Sequence, residues 1–133
     1  MTKYLSAYLA TAVVMIAVDL LWLGVIAKPL YQQGLGHLMA ERPNLIAAAA
    51  FYALYALGLL MFAIVPQAAD AGWLKTATTA AMFGFMAYAT YDLTNLATLR
   101  GWPIGLSLID MAWGAVLSAV AATAGRFAWD RFA

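Results

Sequence analysis

Asp19, Asp92 and Asp110 are carboxylic acids set inside long apolar runs. Each is followed three residues later by a side chain that can hydrogen-bond: the turns read DLLW, DLTN and DMAW, which supply Trp22, Asn95 and Trp113. Residues three apart share one face of a helix, so each turn presents an acid beside a polar partner. Three carboxyls gathered in a medium of low dielectric cannot all ionise unless a cation or a shared proton lies among them. The chemistry open to such a group is binding of an organic cation, oxygen coordination of a hard metal ion, or a proton relay. All three depend on helices that hold the acids at one level.

Those helices belong in a membrane. The chain is 133 residues long, 66% hydrophobic and 10% charged, where soluble domains carry about 25% charged residues. Its mean hydropathy is +0.85. So little polar surface describes an integral membrane protein. A net charge of +1 leaves no basic face for nucleic acid. The absence of cysteine excludes disulfides, thiolate metal sites and a cysteine nucleophile, and the single histidine, His37, cannot form a bis-histidine site. The first apolar run continues to Ala27 without a small-x-small cleavage site, so it reads as a span rather than a leader.

A spanning helix needs about 20 mostly apolar residues. Four segments qualify, 4–27, 45–65, 74–99 and 104–126, and none alternates as a barrel strand would. Pro29, Pro43, Pro66 and Pro103 stand at their boundaries. The expectation is an all-α integral membrane four-helix bundle, one domain over residues 1–133. In the first loop Leu30, Tyr31, Leu35, Leu38 and Met39 fall near helical spacing, which predicts a short helix on the membrane surface, weakened by Gly34 and Gly36. Four crossings put both termini on one side with Lys3, Lys75, Arg126 and Arg131, against Lys28, Arg42 and Arg100 on the other. The positive-inside rule then places the termini in the cytoplasm by this narrow margin. Trp73, Trp102 and Trp129 read as interfacial belt residues, GWPIG at 101–105 as a turn, and Glu41, Asp70 and Asp130 as solvated acids.

The three buried acids fall at matching depths. Asp19 lies eight residues before the end of the first span, Asp92 seven before the end of the third, and Asp110 six after the start of the fourth. At 1.5 Å per residue all three lie about 9–12 Å below the same face. The second span places Tyr52 and Tyr55 at a similar depth, and Tyr88 and Tyr91 flank Asp92. On the fourth span Asp110, Gly114, Ser118 and Ala122 form a stripe of small residues, and Ala81, Gly84, Tyr88, Asp92 and Asn95 form another on the third. Such stripes mark helix contacts, so the acids should face the bundle interior. DLLWLGVIAKP and DLTNLATLRGWP also resemble each other faintly, as two parallel halves would.

Three readings of this polar layer stand side by side. In the first, Asp19, Trp22, Tyr52, Tyr55, Tyr88, Asp92, Asn95, Asp110 and Trp113 bind a cationic or amphipathic small molecule, with proton-coupled transport as an extension. In the second, the chain is a structural or accessory subunit of a membrane complex. The layer is then interhelical hydrogen-bond glue, and Lys28 and Arg100 dip inward to pair with the acids. In the third, the carboxyls serve a lipid-modifying enzyme, although no histidine cluster, nucleophile motif or phosphate loop accompanies them. No cofactor or metal is specified. The partners expected are the lipid bilayer, a small-molecule ligand, and a second copy or a larger membrane complex.

With DLLWLG at 19–24, YDLTN at 91–95 and DMAWG at 110–114, the chain resembles a family of small bacterial inner-membrane proteins catalogued as a domain of unknown function. The resemblance covers nearly the whole length and implies a four-span, multi-pass protein of the bacterial inner membrane, with no activity, cofactor or catalytic residue attached. The small multidrug exporters share the length and the span number. Their hallmark is one glutamate in the first helix, which Asp19 approximates, whereas Asp92 and Asp110 have no counterpart there.

Overall fold

Apolar runs without internal proline propagate as helix, and the four prolines mark where these stop. In a computed structural model, which describes residues 1–133, the chain consists of helices and turns with no strand. The helix α1 (Thr2–Leu21) passes into a π turn over Trp22–Ile26. Next comes the short α2 (Lys28–Leu35), with Pro29 in its first turn. The third helix, α3 (Leu45–Leu59), begins at Asn44, whose side chain accepts the Ala47 N–H at 3.0 Å, and widens into a second π turn over Leu60–Ile64. The long helices α4 (Leu74–Thr98) and α5 (Ile104–Phe132) complete the chain. Gly72 and Gly101 turn the chain before each of these with φ of 78° and 69°, a left-handed conformation that favours glycine.

Three helical stretches are long and apolar enough to cross a membrane: Thr2–Ile26, Leu45–Ile64 and Ile104–Phe132. The third predicted span differs from these. At 25 residues α4 is long enough, about 37 Å. It also carries six threonines together with Lys75, Asp92 and Asn95, which make it more polar than the other three.

The central element is α5, which packs along α4 and α1. Its stripe Asp110, Gly114, Ser118 and Ala122 is buried throughout. A Cβ on Gly84 of α4 would collide with the Gly114 carbonyl and the Ser118 hydroxyl, so the α4 and α5 backbones touch there. By contrast α3 packs on α1 and reaches α4 and α5 chiefly through its π turn. At Gly58 it still meets α4, where an added Cβ would lie 2.9 Å from Cζ of Phe83. One turn nearer its N-terminus the Tyr55 ring still meets Phe83 and Tyr88 of α4, and beyond it α3 stands away from α4.

At the end of the bundle that carries the termini, Arg126 is 3% exposed, not a free surface cation. Its Nε donates to both oxygens of Asp130 at 3.0 and 3.1 Å. Its Nη1 donates to the Gln67 carbonyl and Thr76 hydroxyl, and Nη2 to the carbonyls of Ala68 and Asp70. One guanidinium thus ties α5 to α4 and to the turn after α3. Two expectations change as a result. Asp130 and Asp70 are ion-paired, with Arg126 at 3.0 Å and Lys75 at 3.5 Å, rather than simply solvated. Trp129 is a core residue, 7% exposed, edge-on to Tyr4 with Lys3 Nζ 4.9 Å from its ring centre.

Two substitutions check this packing. Gly84→Ala drives a methyl into rigid backbone and should cost about 1–3 kcal/mol, whereas Gly105→Ala, which faces open space, should leave thermal unfolding in detergent unchanged. Arg126→Ala strips donors from three carbonyls, at roughly 1–3 kcal/mol for each that water cannot reach. Arg126→Lys, with a single ammonium in place of the planar fork, should recover only part of that loss in the same melting experiment.

Candidate functional site

The aspartates of α1, α4 and α5 arrive at one level, each six or seven residues from the helix or π-turn end nearest α2, about 9–11 Å along the axis. Asp19, Asp92 and Asp110 are 5%, 2% and 9% exposed, and all three border a cavity of about 490 Å³. The cavity lies where α3 diverges from α4. Phe51, Tyr52 and Tyr55 of α3 form one wall and Ala87, Tyr88 and Tyr91 of α4 the other. Tyr31 and Leu35 of α2, with Trp102 and Leu106, complete its lining.

The polar partners bridge between helices. Trp113 Nε1 of α5 donates to Asp19 Oδ1 of α1 at 3.0 Å, and Tyr52 of α3 donates to Asp19 Oδ2 at 2.6 Å. In the other direction Trp22 Nε1, at the end of α1, donates to the Tyr31 hydroxyl at 3.3 Å. Tyr31 in turn donates to Asp110 Oδ1 of α5 at 2.5 Å. The two indoles stack nearly parallel, 7° apart, with ring centres at 4.2 Å. Each D-x-x-W turn therefore places its acid on the facing helix's indole network rather than on its own. Burial, and next the hydrogen bond to Asp110, hold the Tyr31 phenol above its ordinary range against the opposing Trp22 N–H, so Tyr31 remains a donor.

Asp92 is the exception. Its carboxyl borders the same cavity as that of Asp110, and its Oδ2 is buried with no hydrogen-bond partner. Such an atom is uncommon, because a buried polar group left unpaired costs about 1–3 kcal/mol. The acids thus divide into a satisfied Asp19 and an adjoining pair, Asp92 and Asp110. No group of three or more carboxyl, imidazole or thiol side chains converges as a metal site would require.

The other expected residues sort as follows. Tyr55 lines the cavity and shares a 2.7 Å hydrogen bond with Ser118 of α5. Tyr88 lines it too, with its ring against Gly114 and edge-on to Tyr55. Trp22 and Trp113 stand behind the lining and orient it. Asn95 does not border the cavity and lies beside Tyr91. Lys28 and Arg100 are exposed and pair with no aspartate, so the inward dip expected of them does not occur. No basic side chain borders the cavity.

Sequence reasoning placed α2 on the membrane surface and Trp102 in an interfacial belt. Both also border the cavity. Gly34 is what lets α2 come so near, since an added Cβ would meet Leu106 and Pro103 at 3.0 and 3.1 Å. The signal for α2 was present in the helical spacing of Leu30, Tyr31 and Leu35. Nothing in that spacing says which way Tyr31 points.

An α-helical membrane fold with a buried acid layer at one depth is the class that these observations define. The chain matches the family described as a predicted membrane protein, DUF2177, over residues 4–127, and it belongs to that family. No curated protein and no solved structure matches it.

Asp19 should behave as a structural acceptor. Asn at this position can still accept from Trp113 and, through its amide, donate to Tyr52, whereas Ala strands both donors. Asp19→Ala should therefore lower stability in detergent well below that of Asp19→Asn. A double-mutant cycle of Asp19→Ala with Tyr52→Phe should show coupling of about 0.5–2 kcal/mol.

Proposed function

We propose that the chain crosses the membrane four times, with α4 as the crossing beyond the three apolar ones, and that its cavity binds a cationic or amphipathic small molecule. The setting for this reading is a bacterial inner membrane. The observation that carries it is the unpartnered Oδ2 of Asp92, on a side chain 2% exposed and bordering a cavity of about 490 Å³. That volume lies within the ~300–1,000 Å³ typical of small-molecule sites. The lining supports the same class of ligand. Apart from three carboxyls it is apolar or aromatic, with no basic side chain to neutralise the acids. Tyr55, Tyr88, Tyr91 and Trp102 add aromatic rings to the same lining, and such rings favour a cation over their faces.

Proton coupling follows from the Asp92–Asp110 pair. Two adjoining carboxyls in low dielectric hold either a proton or a cation between them. A cation that arrives there takes the place of the proton, and this exchange is what a proton-coupled carrier requires.

Asp19 favours a second, narrower role. Both of its oxygens accept from donors on two other helices, which supports the structural reading of the layer, interhelical glue, for that residue.

The test is equilibrium partition of dodecylammonium and dodecyltrimethylammonium between buffer and proteoliposomes, corrected with protein-free liposomes of the same lipid. At least one should bind saturably near one per chain. Asp92→Asn and Asp110→Asn should each weaken that binding tenfold or more, about 1.4 kcal/mol, and Asp19→Asn distinctly less. Purely non-saturable uptake, or unchanged affinity in folded Asp92 and Asp110 variants, rejects the proposal.

A further inference from the structure

We infer that the ligand of this cavity is a long-chain amine bearing N–H donors. Its ammonium group bonds the Asp92–Asp110 pair, and its apolar chain leaves sideways between α3 and α4 into the bilayer. This rests on the binding reading above and narrows it to a headgroup chemistry and a route.

The headgroup follows from Asp92. Its Oδ2 is buried with no hydrogen-bond partner, and once Asp92 is ionised only a donor can satisfy that oxygen. A protonated primary or secondary amine supplies N–H groups that point at carboxylate oxygens, whereas a quaternary ammonium presents only methyl groups there. Aromatic faces attract both kinds of cation, so the unpartnered oxygen is what discriminates between them. Two carboxylates alone would leave most of a hard metal ion's oxygen ligands to water, which a lining otherwise apolar or aromatic does not favour.

The route follows from the packing of α3. Its N-terminal half touches α1 but stands off α4, and the two come together at Tyr55, whose ring meets Phe83 and Tyr88, at Gly58 and in the π turn below. Phe51 of α3 and Tyr91 of α4 border the cavity and are nonetheless 43% and 57% exposed. Phe51 lies six residues into α3 and Tyr91 seven before the end of α4, roughly 9–11 Å below the face. That depth is within hydrocarbon in a bilayer whose apolar core is about 30 Å thick. The opening therefore faces lipid. On the side of α2, Tyr31, Leu35 and Trp102 line the cavity, with Tyr31 held by its bond to Asp110. The acids line α1, α4 and α5 deep inside while aromatic rings line the way out. A headgroup-in, chain-out orientation is the one that leaves no charge in lipid.

The experiment uses the full chain in phosphatidylcholine liposomes and two photoreactive probes. These are an octylamine with a diazirine at the chain end and its trimethylammonium homologue. The amine should label the protein saturably, be displaced by excess octylamine, and half-saturate at a concentration at least tenfold below that of the homologue. Its adducts should fall on the rim of the α3–α4 opening around Phe51 and Tyr91, and Asp92→Asn should erase the preference for the amine. The comparison of the two probes on the unaltered chain needs no variant, so poor folding of Asp92→Asn leaves it decisive. Equal labelling by both probes, still displaced by excess octylamine, overturns the headgroup assignment and leaves cavity binding standing. Adducts on α2 or at Trp102 overturn the sideways route alone. Labelling that neither saturates nor is displaced overturns this inference and the binding reading together.

Discussion

A carboxyl removed from water must find donors, and in this bundle α1 and α5 find them for each other. An aspartate at mid-helix costs roughly 2.5–3.5 kcal/mol on membrane insertion scales. Here the Trp113 indole of α5 reaches the acid of α1, while the Trp22 indole of α1 reaches the acid of α5 through Tyr31. Stacking of the two indoles joins these reciprocal links. The register of α1 against α5 follows, because a slip of one residue would carry all four groups off the shared face. Tyr52 and Tyr31 then attach α3 and α2 to the same centre.

The two ends of the bundle treat buried charge in opposite ways. At the terminal end Arg126 meets acceptors on every donor nitrogen and pairs with Asp130, so nothing is left for a ligand to satisfy. At the other end the Asp92 carboxyl has acids and phenols nearby and no cation. A saturated polar network fixes structure, and an unsaturated one leaves free energy to be gained by binding. That contrast within one small chain separates the locking end from the candidate site.

Much of this was legible in the sequence, and what was not has a physical reason. Apolar run length and proline position located the four long helices, and helical rise put Asp19, Asp92 and Asp110 at one depth. The stripes through Gly84 and Gly114 were readable because only small residues permit backbone contact. Two things were not readable. Local spacing says which residues share a face, but not which helix that face meets, so the crossing of the D-x-x-W turns was hidden. Arg126 looked like a terminal cation because its acceptors are backbone carbonyls, which carry no sequence signature. The polarity of α4 was visible in its threonines, yet its hydrogen-bonding consequences are local. Thr78, Thr90 and Thr98 return their hydroxyls to carbonyls a turn earlier, which lets a comparatively polar helix sit in an apolar bundle.

The cavity itself arises from an imbalance in packing. Glycine and serine draw α4 onto α5, and Thr11 of α1 meets Gly125 of α5 just as tightly. No such small-residue pairing joins the upper half of α3 to α4, where Phe51, Tyr52 and Tyr55 present rings instead. Rings hold helices farther apart than glycines do, and the space that they hold open lies at the level of the acids. Two independent features thus coincide in depth: a layer of carboxyls on the tightly packed helices and an aromatic wall on the helix that stands away. A layer that served only to hold helices together would gain nothing from that gap. A site for an amphiphile requires both the charge and the opening.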